Sequence, residues 1–134
     1  MGNYIDTEDL RDRLGPSLLS QLTGEDPEHA ILNGIMERAE AMVDSYASLS
    51  FQTPLPRSGA VKEWTLRIAE YELHKRSPMA TVPEKIRESY MEALSILNDL
   101  ASGKVTPSPE AVSGRKRGGL SLAVQTPEEI LPFF

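Results

Sequence analysis

The sequence has no cysteine, two histidines and a single tryptophan, and its aromatic residues make up only 6% of 134 positions. The missing thiols exclude disulfides, thiolate metal sites and cysteine nucleophiles, and they are compatible with a reducing compartment. His29 and His74 fall on different predicted helices, with no companion at ligand spacing. A zinc or iron site wants three or four ligands, so solvent-facing or capping roles are expected instead. No run approaches the roughly 18 apolar residues that a membrane span needs, and the opening MGNYIDTEDLRDRL carries no signal-peptide pattern. The nucleophile elbow, the P-loop and the dinucleotide glycine fingerprint are all missing, so neither an enzyme nor a cofactor is expected.

What the chain does have is acid, proline and well-placed apolar residues. The length fits one domain, and apolar residues are 40% of it, enough for a modest core. Residues 1–103 hold ten Lys/Arg against 17 Asp/Glu, whereas residues 104–134 hold four against three. An acidic body argues against a general nucleic-acid surface, because phosphate contacts need clustered cations. The sequence therefore divides into a helical body, 1–103, and a linker with a docking arm, 104–134.

Five helices are expected. Thr7 as N-cap before Glu8 and Asp9 opens the first, and Gly15-Pro16 stops it. Ser17 to Leu22 forms a second short turn. Asp26-Pro27-Glu28 starts a third helix of about six turns, whose stripe is Ile31, Ile35, Ala39, Met42 or Val43, and Tyr46, with Glu37, Arg38, Glu40 and Asp44 on the polar face. A fourth begins near Ser58 or Gly59. Its Val61, Trp64, Leu66, Ile68, Ala69, Tyr71 and Leu73 surround more than one face, marking the centre of a bundle. Pro83-Glu84 opens the fifth, striped by Ile86, Tyr90, Ala93, Leu94, Leu97 and Leu100, with Gly103 just past its end. Acids cluster at Glu8/Asp9/Asp12, Glu25/Asp26/Glu28 and Glu84/Glu88/Glu92, where helix first turns and one helix face explain them better than paired catalytic carboxylates do.

Two segments break the helical period. Leu49, Phe51 and Leu55 alternate with polar residues and prolines, so an extended arm is predicted after the third helix. Beyond Gly103 comes a Pro-, Gly- and Ser-rich linker carrying Arg115-Lys116-Arg117, then a short strand pattern at Leu120, Leu122 and Val124, then Ile130, Leu131, Phe133 and Phe134 at the end. The tail side chains cost about 1.5–3 kcal/mol each to leave in water if large and otherwise buried. Docking on another subunit is therefore favoured over folding back on the same chain. The basic triad is a candidate contact for DNA or for an acidic partner, salt-sensitive and nonspecific.

The ordered set TEDLRDRLG, LLSQLTGED, AMVDSY, FQTPLP, VKEWTLRIAEYEL and VPEKIRESYMEALSILNDLASGKV resembles the Mu-like family of small phage and prophage neck proteins over about residues 4 to 105. That family is similar to the head-completion adaptors, or head-tail connectors, of long-tailed phages. The resemblance implies an all-α virion protein, made in the bacterial host cytoplasm and assembled as a ring, usually of twelve copies, beneath the portal. Such a ring extends the DNA channel and offers a platform to the next neck or tail-completion protein, while a C-terminal segment anchors to the portal. On this reading Leu49, Phe51 and Leu55 touch an adjacent subunit or the protomer's own helices, and the tail from Leu120 to Phe134 touches the portal. The triad Arg115 to Arg117 then faces channel DNA or portal acids. The alternative is a small helical binding or regulatory module that uses the triad to contact DNA.

Overall fold

A computed structural model describes residues 4–24, 29–76 and 81–107. Five helices account for 73% of the described residues: α1 (Thr7–Leu14), α2 (Pro16–Thr23), α3 (Ala30–Ala47), α4 (Gly59–Arg76) and α5 (Glu84–Ala101). No strand occurs among them, and the strand pattern at Leu120 to Val124 lies outside the described residues. The all-α bundle expected from the sequence is thus the fold.

Local chemistry sets the helix ends. Asp6, not Thr7, caps α1: its carboxylate accepts the Asp9 N–H at 3.0 Å while its own N–H donates to the Asp9 side chain at 3.0 Å. This reciprocal pair satisfies two donors that a helix start leaves open. Gly15, at φ 87°, ends α1 and begins α2 in one residue, a left-handed backbone that favours glycine, and Pro16 then fills the first helical position. Helix α3 starts at Ala30, after His29 in the left-handed region at φ 56°; the Asp26-Pro27-Glu28 signal lies outside the described residues. At the end of α5 the Lys104 N–H reaches Asp99 O at 2.8 Å and the Gly103 N–H reaches Leu100 O at 3.0 Å. That is a Schellman motif around Gly103, at φ 83°.

Helix α4 is the centre, touching each of the other four. It buries Val61, Trp64, Thr65, Leu66, Ile68, Ala69, Glu70, Leu73 and His74, which is more than one face. His74 is a correction to the solvent-facing role: it is buried, with Nδ1 3.0 Å from Glu70 O. On α3 the buried side is Leu32, Ile35, Met36, Ala39, Glu40, Val43 and Ala47. Ile35, Ala39 and Val43 of the expected stripe are in it, with Ile31, Met42 and Tyr46 partly buried at its edge; α3 packs against both α4 and α5 and so buries a wider arc than a single row. Glu40, assigned to the polar face, lies inside. Helix α5 keeps the simpler pattern, with Ala93, Leu97 and Leu100 buried.

The segment after α3 turns tightly rather than reaching away. Phe51 N–H donates to Ala47 O at 2.8 Å, Ser50 Oγ donates to Ala101 O at 2.6 Å, and the Thr53-Pro54 peptide is cis. Residues beyond α5 also begin on the body: Val105 packs against the core, Pro107 is buried, and Ser58 Oγ donates to Pro107 O at 3.0 Å.

Candidate docking surface

Most polar groups that could do chemistry are occupied in holding helices together. The Glu40 carboxylate accepts the N–H groups of Tyr4 at 2.8 Å and Ile5 at 3.1 Å, so the chain before α1 is pinned to α3 by its backbone. Tyr4 OH donates to Asp44 Oδ1 and accepts the Leu55 N–H at 2.7 Å, which ties the same residue to the arm. Burial, then the Asp44 hydrogen bond, push the Tyr4 hydroxyl well above the ordinary tyrosine range. Sequence reasoning missed this clasp. Its signal was the spacing Met36, Glu40, Val43, Ala47, which places one acid on an otherwise apolar row.

A second network joins α1, α4 and α5. Arg13 grips both oxygens of Glu63, at 3.0 and 3.1 Å, and reaches Glu70 at 2.9 Å through Nε. Arg67 bonds Glu63 at 3.0 Å and Glu92 at 3.1 Å. Burial alone would raise the Glu63 carboxyl, but the Arg13 and Arg67 hydrogen bonds hold it below the ordinary carboxylate range. Asp9 is likewise held low against its own desolvation, chiefly by Lys62 at 2.9 Å. Glu8 pairs with Arg11 at 2.7 Å. The acid groups at α1 and α5 are thus caps and ion pairs in part, while Glu25, Asp26 and Glu28 lie outside the described residues. Among the described residues no group of three His, Cys, Asp or Glu is placed to hold a metal ion, and no helix is long and apolar enough to cross a membrane.

Exposed apolar side chains are what remains. Leu49 is 66% exposed and Met91 57%, the two large apolar residues that the described surface leaves in water. Met91 stands on α5 among Glu84, Glu88 and Glu92, over a shallow depression. Leu49 stands on the turn after α3. Of the two destinations expected for the arm, an adjacent subunit or the protomer's own helices, Phe51 (0% exposed) and Leu55 (4%) take the second, in the core of their own chain. The turn is held by the Phe51 N–H on Ala47 O, and the Leu55 N–H is taken by Tyr4 OH. The remaining predicted docking residues, Leu120, Leu122, Val124, Ile130, Leu131, Phe133 and Phe134, lie outside the described residues, as do Arg115, Lys116 and Arg117.

Tyr71 and Tyr90 stack across α4 and α5 with ring centroids 3.9 Å apart and an interplanar angle of 8°, and Lys75 Nζ lies 5.9 Å from the Tyr71 ring centre. Trp64 is buried in the core. Tyr71 and Tyr90 are half-buried.

Compared with known proteins, the chain matches the family Bacteriophage Mu, Gp36 over residues 4–122. The match runs beyond residue 105, where the resemblance seen in the sequence ends, and takes in Arg115 to Arg117, Leu120 and Leu122. No curated protein and no solved structure matches it.

Proposed function

The chain belongs to the Bacteriophage Mu Gp36 family, whose members are phage structural or morphogenesis proteins, and from that premise we propose that it is the head-tail connector adaptor of a virion. In this reading copies of the chain form a ring beneath the portal, extend the DNA channel, and present a platform to the next neck or tail-completion protein. The protein performs no chemistry; its work is assembly. The observation that carries the proposal is the family match itself, which spans the helical body and continues through Leu122.

Two features of the body fit the role. Its carboxylates and guanidiniums brace α1, α4 and α5 against one another, giving a rigid unit of the kind a ring of identical parts needs. Its acidic balance disfavours tight binding to DNA that must slide through the channel. Apolar residues from Leu120 to Phe134 supply the portal anchor: a segment that gains burial only on a partner adds ordered copies in sequence, because the entropy of ordering is lost only when that partner is present.

The test is co-sedimentation of the purified chain with the portal of the same phage. The full-length protein is expected to bind. A form lacking residues 118–134 is expected to stay folded, with unchanged helical circular dichroism, and to lose binding. Unchanged binding by the shortened form refutes the anchor.

A further inference from the structure

Helix α5 keeps one side in water. Glu84, Glu88, Met91 and Ser95 follow one another at spacings of four, three and four residues, so they share one face, opposite the buried Ala93, Leu97 and Leu100. All four are exposed, Met91 at 57%, and the exposed Glu92 stands beside them. The fold accounts for little of this acid. Glu84 lies in the first turn, where the helix dipole favours it, but Glu88 and Glu92 lie beyond, and like charges four residues apart weaken a helix. Elsewhere on the body acids are matched: Asp9 has Lys62, Glu63 has Arg13 and Arg67, and Glu70 has Arg13. Neither Glu84 nor Glu88 makes an ion pair among the described residues, and Glu92 shares Arg67 with Glu63. Arg87, at the edge of the face, offsets one charge and leaves the face acidic.

We propose that this face is the seat of the chain's own Arg115-Lys116-Arg117. The triad is the one run of three consecutive cations in the sequence. Its reach is fixed at the near end, because the Val105 N–H is held on Asp99 O, at 3.4 Å, in the last turns of α5. Ten residues separate Val105 from Arg115, enough for about 33 Å of extended chain, whereas Glu88 lies about 16 Å from Asp99 along the helix. The triad therefore reaches Glu88 with length left to pass around the helix. The side chains complement the face: guanidiniums take carboxylates in two-pronged bonds, and their methylene stems lie over Met91.

The same chain is favoured over a second copy. A short tether holds the triad at an effective concentration on the order of millimolar beside its own α5, and exposed ion pairs are too weak singly to join separate molecules. The family match also takes in the helical body and the triad together, ending at residue 122. The contact concerns the free chain and stands whether or not the connector reading holds; on that reading it sets where the portal-facing arm leaves the body.

Because the chain has no cysteine, a single introduced thiol carries a nitroxide label at one place. Amide NMR of the full-length, isotope-labelled chain is recorded with the nitroxide on Ser95→Cys or on Ser102→Cys, both exposed positions. Ser102 is nearer the start of the tail, so a tail that is merely tethered is broadened at least as much from there. At low salt the label on Ser95→Cys is expected to remove most of the amide signal of Gly114, Gly118 and Gly119, and the label on Ser102→Cys much less. The loss should vanish in about 1 M salt, where charges are screened beyond about 3 Å. It should vanish also in a Glu84→Gln/Glu88→Gln background, with helical circular dichroism unchanged. With nitroxide on one chain and isotope on another, no loss is expected. Equal or greater broadening from Ser102→Cys, broadening that survives salt or the double substitution, or broadening between chains overturns the proposal.

Discussion

Helices α1 and α5 both lie against α4, yet different forces hold them there. On the α1 side long-range polar contacts add to the buried Ile5 and Leu10: Glu40 takes two backbone N–H groups, Tyr4 bridges Asp44 and Leu55, and Arg13 spans Glu63 and Glu70. On the α5 side burial dominates: Ala93, Leu97 and Leu100 are fully buried and Tyr90 stacks on Tyr71, with Arg67–Glu92 as an exposed ion pair beside them. Helices α1 and α2 are eight residues each and bury only Leu10, Leu19, Leu22 and Thr23 between them, so the amino-terminal edge adds directional bonds where α5 relies on area. The contrast teaches that one bundle can be closed by two kinds of contact with different dependence on salt and pH.

Substitutions separate the two edges. Leu97→Ala, on the apolar side, is expected to have the largest effect, about 3 kcal/mol of unfolding free energy, because it leaves a cavity in a site with 0% exposure. Urea unfolding followed by the fluorescence of Trp64 measures it. Glu40→Ala should cost about 2–3 kcal/mol by orphaning two buried N–H groups, and Glu40→Gln should recover part of that, since an amide oxygen still accepts. Tyr4→Phe should cost about 1 kcal/mol, for the lost bonds to Asp44 and Leu55, with packing retained. Glu63→Gln is expected to be the smallest. Its partners are part-exposed, so the loss stays under about 1 kcal/mol and fades in high salt, whereas the Leu97→Ala deficit does not.

Glu63 also sets a pH signature. Its folded carboxyl titrates below its unfolded value, so the unfolded chain binds the extra proton as pH falls. The stabilisation is whole above the ordinary carboxylate range, about pH 4.3, and disappears as pH drops through the lowered folded value. The unfolding free energies of the parent chain and of Glu63→Gln should therefore converge in acid and part again near neutrality. A gap that widens in acid reverses the sign of the assignment.

How far the sequence spoke depended on how many neighbours each helix has. Helix α5 has a solvent side, so its stripe of Ala93, Leu97 and Leu100 was readable. Helix α4 was readable as central because apolar residues surround it. Helix α3 was read in part: Ile35, Ala39 and Val43 were on the expected stripe, but a helix flanked by two others buries a wider arc, and a single row leaves out Leu32 and Met36. The buried role of Glu40 escaped because propensity treats an acid as surface, and its partners are backbone groups 35 and 36 residues away. The same holds for the arm: alternation marked Leu49, Phe51 and Leu55 as a set, but the turn bonds of Leu49 and Phe51 back to α3 and the Ser50 bond to Ala101 do not show in an alternating pattern. On the docking surface, Leu49 was legible as an arm residue, while its 66% exposure on a turn outside the helix emerged only once α3 was known to end at Ala47.

The connector role rests on whether this chain completes a portal. Negative-stain imaging of the purified portal of the same phage, alone and mixed with an excess of the chain, gives the answer in one experiment. An added ring of density beneath the portal, coaxial with its channel, is the expected image. Portal particles unchanged at every excess of the chain refute the connector role.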